Sequence, residues 1–231
     1  MIGVYDYTVV LTYLSAISAG LGILFSLSGG GHPYIGIFFL LFSGLCDAFD
    51  GRVARKKKNR SEYSKKFGVQ IDSLSDILAF GVLPVCIGTS LIRLSPLFNE
   101  LLNGVEKTSR ERLNMFCLYA IMLLYLLMGL VRLAHYNVTE EERQKSEDGN
   151  RKYFQGVPIT SAAVVFPTIL LFQYLLSSDI TIVYFIFMLI MAILFVTKVR
   201  IPKPGLRGIL IMVGIGAAEF VFLLVRFLFV K

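Results

Sequence analysis

What this 231-residue chain has little of narrows its class first. There is no tryptophan, histidine occurs twice, cysteine three times, and charged residues make up only 17% of the chain. Cys46, Cys86 and Cys117 all lie in or beside apolar stretches without metal-ligand spacing, so they read as core residues and not as a zinc or redox centre. No basic segment or small-residue cleavage site precedes the first apolar run, so the N-terminus is expected to be retained. Scarce charge with 55% hydrophobic residues and a mean hydropathy of +0.69 excludes an ordinary soluble globule. The net charge of +7 does not imply nucleic acid, because the bases sit between apolar segments and form no stripe interleaved with aromatics.

What is present is a polytopic membrane chain. Seven apolar stretches approach the length of a bilayer span: 8 to 28, 33 to 55, 69 to 92, 113 to 137, 158 to 176, 180 to 198 and 206 to 229. Period-two alternation is absent and lipid offers the backbone no partner, so an all-α transmembrane bundle is expected, forming one integral membrane domain over residues 1 to 231. Eight Lys or Arg fall in 51 to 68, five in 132 to 157 and four in 198 to 207, all on one side of such a bundle. By the positive-inside rule that side is cytosolic, with the N-terminus inside and the C-terminus outside. Residues 96 to 105 suggest a short amphipathic helix, and 139 to 152 a solvated connector.

Against this background one stretch stands out, DAFDGRVARKKKNRSEYSKKFGVQIDSLSD at residues 47 to 76, with Asp47, Asp50, Asp72 and Asp76. At 100° per residue from Asp47, Asp50 lies at about −60°, Ala54 at about −20°, Gly51 at about +40° and Arg55 at about +80°, sharing one helix face. Gly68, Asp72 and Asp76 follow at i, i+4 and i+8 and line a stripe on the next helix. Antiparallel helices with facing stripes gather four carboxylates, whose repulsion demands either raised pKa values or bound cations. Carboxylates without thiol or imidazole select hard ions: magnesium, manganese or calcium. The glycines let a backbone or a bulky ligand come close. Acids grouped at one edge, and not spread through the membrane depth, argue against a cation channel or transporter.

This run resembles the signature of the CDP-alcohol phosphotransferase family, D-x-x-D-G-x-x-A-R followed by G-x-x-x-D-x-x-x-D. All eight positions are matched, by Asp47, Asp50, Gly51, Ala54, Arg55, Gly68, Asp72 and Asp76, with a spacer of twelve residues that is longer than in many members. FGVQIDSLSDILAFGVLP is similar to the phosphatidylserine synthase branch, as are Arg132, Leu133, Ala134 and Asn137 of LVRLAHYNV and the block YFQGVP. The resemblance implies a six-helix family core, here with one or two further C-terminal helices, whose active site lies at the cytosolic ends of helices 2 and 3.

It also implies transfer of a phosphatidyl group from CDP-diacylglycerol to L-serine, giving phosphatidylserine and CMP. The four aspartates would hold two Mg²⁺ or Mn²⁺ ions, and Asp76 would also act as the base. Gly51, Ala54, Arg55 and Gly68 would accommodate the nucleotide, and Arg132 and Asn137 the serine carboxylate. A homodimer in the cell membrane is part of the same expectation. Another acceptor, such as glycerol 3-phosphate or inositol phosphate, or a CDP-archaeol donor, is the alternative. By itself Arg132 suits either a polar cavity or snorkelling to the interface. Thr12 and Ser15 in the first stretch read as hydroxyls bonded back to their own helix, and Gln155 and Thr160 as pocket or capping groups. Lys65, Lys66, Lys198 and Arg200 are candidates for attracting an anion, and Glu219 is an acid inside the last apolar stretch.

Overall fold

A computed structural model describes residues 3–28, 32–57, 60–98, 109–146, 153–176, 178–202, 214–218, 221–222 and 225. The chain forms α1 (Val10–Leu27), α2 (Pro33–Lys56), α3 (Glu62–Asp76), a π-helical turn (Ile77–Val82) and α4 (Leu83–Leu94). Then come α5 (Ser109–Ser146), strand β1 (Tyr153–Gln155), a 3₁₀ turn (Ile159–Ser161), α6 (Ala162–Leu176), α7 (Thr181–Val196) and strand β2 (Arg200–Pro202). Among the described residues four helical stretches are long and apolar enough to cross a membrane: Val10–Leu27, Pro33–Ala54, Glu62–Leu94 and Arg112–Arg143. Ile159–Phe172 and Thr181–Val196 are shorter apolar helices. Most of the stretch 206 to 229, Glu219 included, and most of 96 to 105 lie outside the described residues.

The all-α bundle is as expected apart from a small ribbon, and two expectations are corrected. The connector 139 to 152 begins as helix: α5 runs on to Ser146, where Arg143 holds Glu140 through Nε at 3.1 Å and Nη2 at 2.7 Å. At 1.5 Å per residue its 38 residues extend about 57 Å, well beyond a ~30 Å hydrocarbon core, so polar turns at its ends can stand in water. The all-helical picture gains a small antiparallel ribbon, with Phe154 opposite Ile201. Of the cysteines, Cys46 and Cys86 are buried, whereas Cys117 is exposed on α5, beside the outward apolar Phe116 and Tyr119.

Chemistry places the π turn. Pro84 has no N–H to give the carbonyl four residues back, Phe80 O. The hydroxyl of buried Tyr125 donates to Phe80 O instead, at 2.6 Å, while Leu83 N reaches Leu78 O in the wider π pattern. Tyr184 then donates to Pro84 O at 2.8 Å. In the core Tyr125 meets Phe166 edge-on and Phe195 at a tilt, and Tyr184 meets Phe166 at a tilt, beside Ile37, Leu40, Leu83 and Ile87. α1 and α2 meet through small and hydroxyl side chains: Ser18 Oγ donates to Phe39 O and Ser43 Oγ to Ser15 O.

These contacts sort the polar stretches by end. α2 finishes and α3 begins at one end; Asn137 of α5 reaches α3 there, and the β1–β2 ribbon joins 153–155 to 200–202. Arg93 binds the last carbonyls of α1 at the other end.

Candidate active site

Asp47 and Asp50 lie one turn apart on α2, and Asp72 and Asp76 one turn apart on α3. Ser61 starts α3 by accepting from Ser64 N at 3.1 Å, with Glu62 favourably placed in the first turn. The two helices present their stripes to each other. One carboxylate oxygen each from Asp47, Asp50 and Asp72 lies within 4.8 Å of the others. Asp76 lies within hydrogen-bonding reach of Asp47, and Asp72 of Asp50. Asp50 and Asp76 are only 8% and 9% exposed, so water does little to screen the group. The donor set fits a divalent cation: several hard oxygens converge in a poorly solvated place where their like charges need a counter-ion.

α1 and α5 wall this cluster. Thr12 Oγ1 donates to Asp50 Oδ2 at 3.2 Å, and Ser75 Oγ donates to Thr12 O at 3.2 Å, so α1 is bonded to both aspartate helices. This corrects the reading of Thr12 as bonded back to its own helix; Ser15 Oγ, buried, has no such bond either. The threonine was visible as a polar residue in an apolar run. Which face it took was not, because α1 has no strongly polar side. From α5, Asn137 Nδ2 donates to Ser73 Oγ at 2.7 Å, which puts the expected acceptor-binding amide beside Asp72 in sequence. Arg132 is 5% exposed and does not snorkel: its Nε donates to Val157 O at 3.1 Å and its guanidinium lies 5.6 Å from the Tyr136 ring centre.

The strap carrying Val157 is shaped by Gly156, at φ +78°, whose N–H donates to Val199 O at 2.7 Å. A Cβ there would stand 2.9 Å from Phe195 O and 3.1 Å from Thr197 O. Thus the YFQGVP block links Arg132 to the end of α7. Gln155 lies in β1 with its side chain outside the described part, and Thr160 sits in the 3₁₀ turn.

Of the expected nucleotide residues, Gly51 and Ala54 are half-buried on α2, and Arg55 continues that helix with its side chain outside the described part. Gly68 lies on α3 beneath the Arg60 guanidinium; a Cβ on Gly68 would meet Nη2 at 2.7 Å. Lys65 pairs with Glu62, and Lys66 and Lys198 are exposed.

The family model of CDP-alcohol phosphatidyltransferases matches residues 8–199. The chain belongs to that family. Among curated CDP-alcohol phosphatidyltransferase relatives it is 34% identical over 166 residues to the CDP-diacylglycerol–serine O-phosphatidyltransferase of Saccharomyces cerevisiae, covering 69% of this chain and 51% of the relative. The chain therefore spans about half the length of that yeast relative. It is 27% identical to the enzyme of the same name from Helicobacter pylori, over 82% of this chain and 70% of the relative. It is also 27% identical to the archaetidylserine synthase of Methanothermobacter thermautotrophicus, over 86% and 70% respectively. No solved structure matches it significantly.

Proposed function

We propose that the chain transfers a phosphatidyl group from CDP-diacylglycerol to the hydroxyl of L-serine, forming phosphatidylserine and CMP. The observation that carries the reading is the convergence of Asp47, Asp50 and Asp72, with Asp76 in reach of Asp47, on helices that match all eight positions of the family signature. The names of the yeast and Helicobacter relatives support serine as acceptor.

Asp47, Asp50, Asp72 and Asp76 would hold the divalent metal, two Mg²⁺ or Mn²⁺ ions in our reading. When bound it supplies charge neutralisation to the pyrophosphate oxygens of the donor. Thr12 fixes one oxygen of Asp50 and so limits how that carboxylate turns. Asp76 takes the proton of the serine hydroxyl as its oxygen attacks the diacylglycerol-bearing phosphorus. The bond from that phosphorus to the CMP oxygen breaks, and CMP leaves with the electron pair. Gly51, Ala54, Arg55 and Gly68 receive the cytidine nucleotide. Arg132 and Asn137 bind the serine carboxylate. The site opens on the cytosolic face of the cell membrane, where serine arrives by water and the acyl chains stay in lipid, and the working form is a homodimer. The archaeal relative keeps one second reading in view, an archaeol-based donor in place of diacylglycerol.

Incorporation of labelled serine into lipid by purified protein in mixed micelles tests this. CDP-diacylglycerol and CDP-archaeol are offered as donors, against serine, glycerol 3-phosphate and inositol phosphate as acceptors. Labelled phosphatidylserine is expected. Product from another alcohol alone would keep the metal site and overturn the Arg132 assignment.

A further inference from the structure

Arg60 lies immediately before the Ser61 cap of α3, in the part of the chain where the spacer between Arg55 and Gly68 is long. Its side chain folds back along the helix: Nη2 donates to Ser64 O at 2.9 Å, and the guanidinium comes to rest over the bare Cα of Gly68. Helix stabilisation does not explain this placement, since a cation at a helix N-terminus opposes the macrodipole. Nor is the group satisfied there, because Arg60 Nε is shut off from solvent without a hydrogen-bond partner. Gly68 precedes Asp72 by four residues, about 6 Å along α3. A fork of N–H donors therefore stands about one turn from the aspartates, on the glycine face that the nucleotide must cross.

We propose that Arg60 is a substrate-binding residue that grips the diphosphate of the cytidine-nucleotide donor, with Gly68 kept bare so that the Nη2 end of the guanidinium can come up against the helix. This rests on the reading of the site as a cytidine-nucleotide transferase. A planar fork with five N–H groups suits phosphate oxygens in a bidentate way, and the unpaired Nε favours a turn of the side chain that brings it to an incoming phosphate. The aspartates with their cations hold one side of the diphosphate and Arg60 the other, so the anion lies between two positive groups.

The test is equilibrium binding of CDP, a soluble probe, to the full chain in detergent micelles with Mn²⁺, for wild type, Arg60→Ala and Arg60→Lys, with cytidine as the probe that lacks phosphate. Wild type is expected to bind CDP, Arg60→Ala to bind it roughly ten- to a hundredfold more weakly, and Arg60→Lys to fall between. Cytidine binding is expected to be the same in all three. Thermal unfolding without nucleotide is the fold control, and Arg60→Lys, which keeps charge and stem, decides the matter if Arg60→Ala is misfolded. Equal or tighter CDP binding by the variants, or an equal loss for CDP and cytidine, overturns the role of Arg60. Failure of wild type to bind CDP overturns the nucleotide reading itself.

Discussion

Two arginines at opposite ends of the bundle show how differently one side chain can be used. Arg93, at the end of α4, donates to the carbonyls of Leu27 at 3.2 Å and Ser28 at 3.3 Å, and also to Ser26 O. It caps the C-terminus of α1, where a cation suits the helix dipole and orphan carbonyls need donors. Arg60 stands at a helix N-terminus with Nε unmatched, one turn from a cluster of carboxylates. At the Arg93 end the charged groups find partners, with Asp179 accepting from Ser95 Oγ and from Thr181 N, although the buried hydroxyls of Ser26 and Thr181 have none. The aspartate end assembles groups that repel or lack partners. In a membrane protein, charged groups that satisfy one another hold the fold, and a cluster of like charges that needs a counter-ion is a candidate site for function.

The largest expected effect breaks the aspartate end alone. Asp76→Asn should lower serine-dependent CMP release by roughly 10²- to 10⁴-fold, the range for loss of a general base, while the protein elutes and unfolds as a folded species. In EDTA the same variant should melt no lower than wild type, because one of four crowded charges has been removed. A lower melting point in EDTA would mean that the carboxylates hold the fold together themselves.

The mirror-image change is Arg93→Ala. It leaves the carbonyls at the end of α1 without their donor and should cost about 1–3 kcal/mol of stability, read from thermal unfolding in micelles. Activity per folded molecule should stay near wild type. A comparable stability loss, again without loss of CMP release per folded molecule, is expected for Tyr125→Phe, which orphans Phe80 O above Pro84.

Gly156→Ala lies between the two classes. The +78° φ and the nearby carbonyls of Phe195 and Thr197 make it cost about 1–3 kcal/mol. Because Val157 O holds Arg132, it should also raise the KM for serine while leaving that for the CDP-linked donor unchanged. Equal rises in both would remove the link from strap to acceptor.

The smallest effect concerns Asp6, whose carboxyl is held well below the usual carboxylate range by the Lys57 ammonium at 2.8 Å and by the hydroxyl and N–H of Thr8. A depressed carboxyl stabilises above its unfolded pKa near 3.8 and loses that contribution as pH falls through the folded value. The pair is partly solvated, so Asp6→Asn should cost no more than ~1 kcal/mol near neutral pH. The difference from wild type should narrow below pH 4 and shrink with added salt.

The aspartate face was readable in the sequence because helical periodicity fixes which residues share a stripe. Asp47 and Asp50 lie on one helix and Asp72 and Asp76 on the next, as their spacing required. The first six apolar stretches likewise foretold helices, since length and hydropathy set them, though the fifth and sixth form shorter helices than a span requires. What spacing cannot supply is the partner across the interface. Thr12 turned out to bond Asp50, and Arg60 to lie on Gly68, through contacts between segments. The helical continuation of α5 through Thr139–Ser146 was hidden by its charge: Glu140 and Arg143 look like a solvated loop until their i, i+3 pairing along a helix is considered. The ribbon escaped notice because three-residue strands carry no periodic signal, and its pairing joins residues nearly fifty positions apart.

The most direct test of the central claim is CMP release from CDP-diacylglycerol by wild type and Asp76→Asn, with and without L-serine, in Mn²⁺ or Mg²⁺ and in EDTA. The account predicts release only from wild type, only with serine and only with the divalent ion. Serine-dependent release by Asp76→Asn at the wild-type rate, or undiminished release in EDTA, would contradict it.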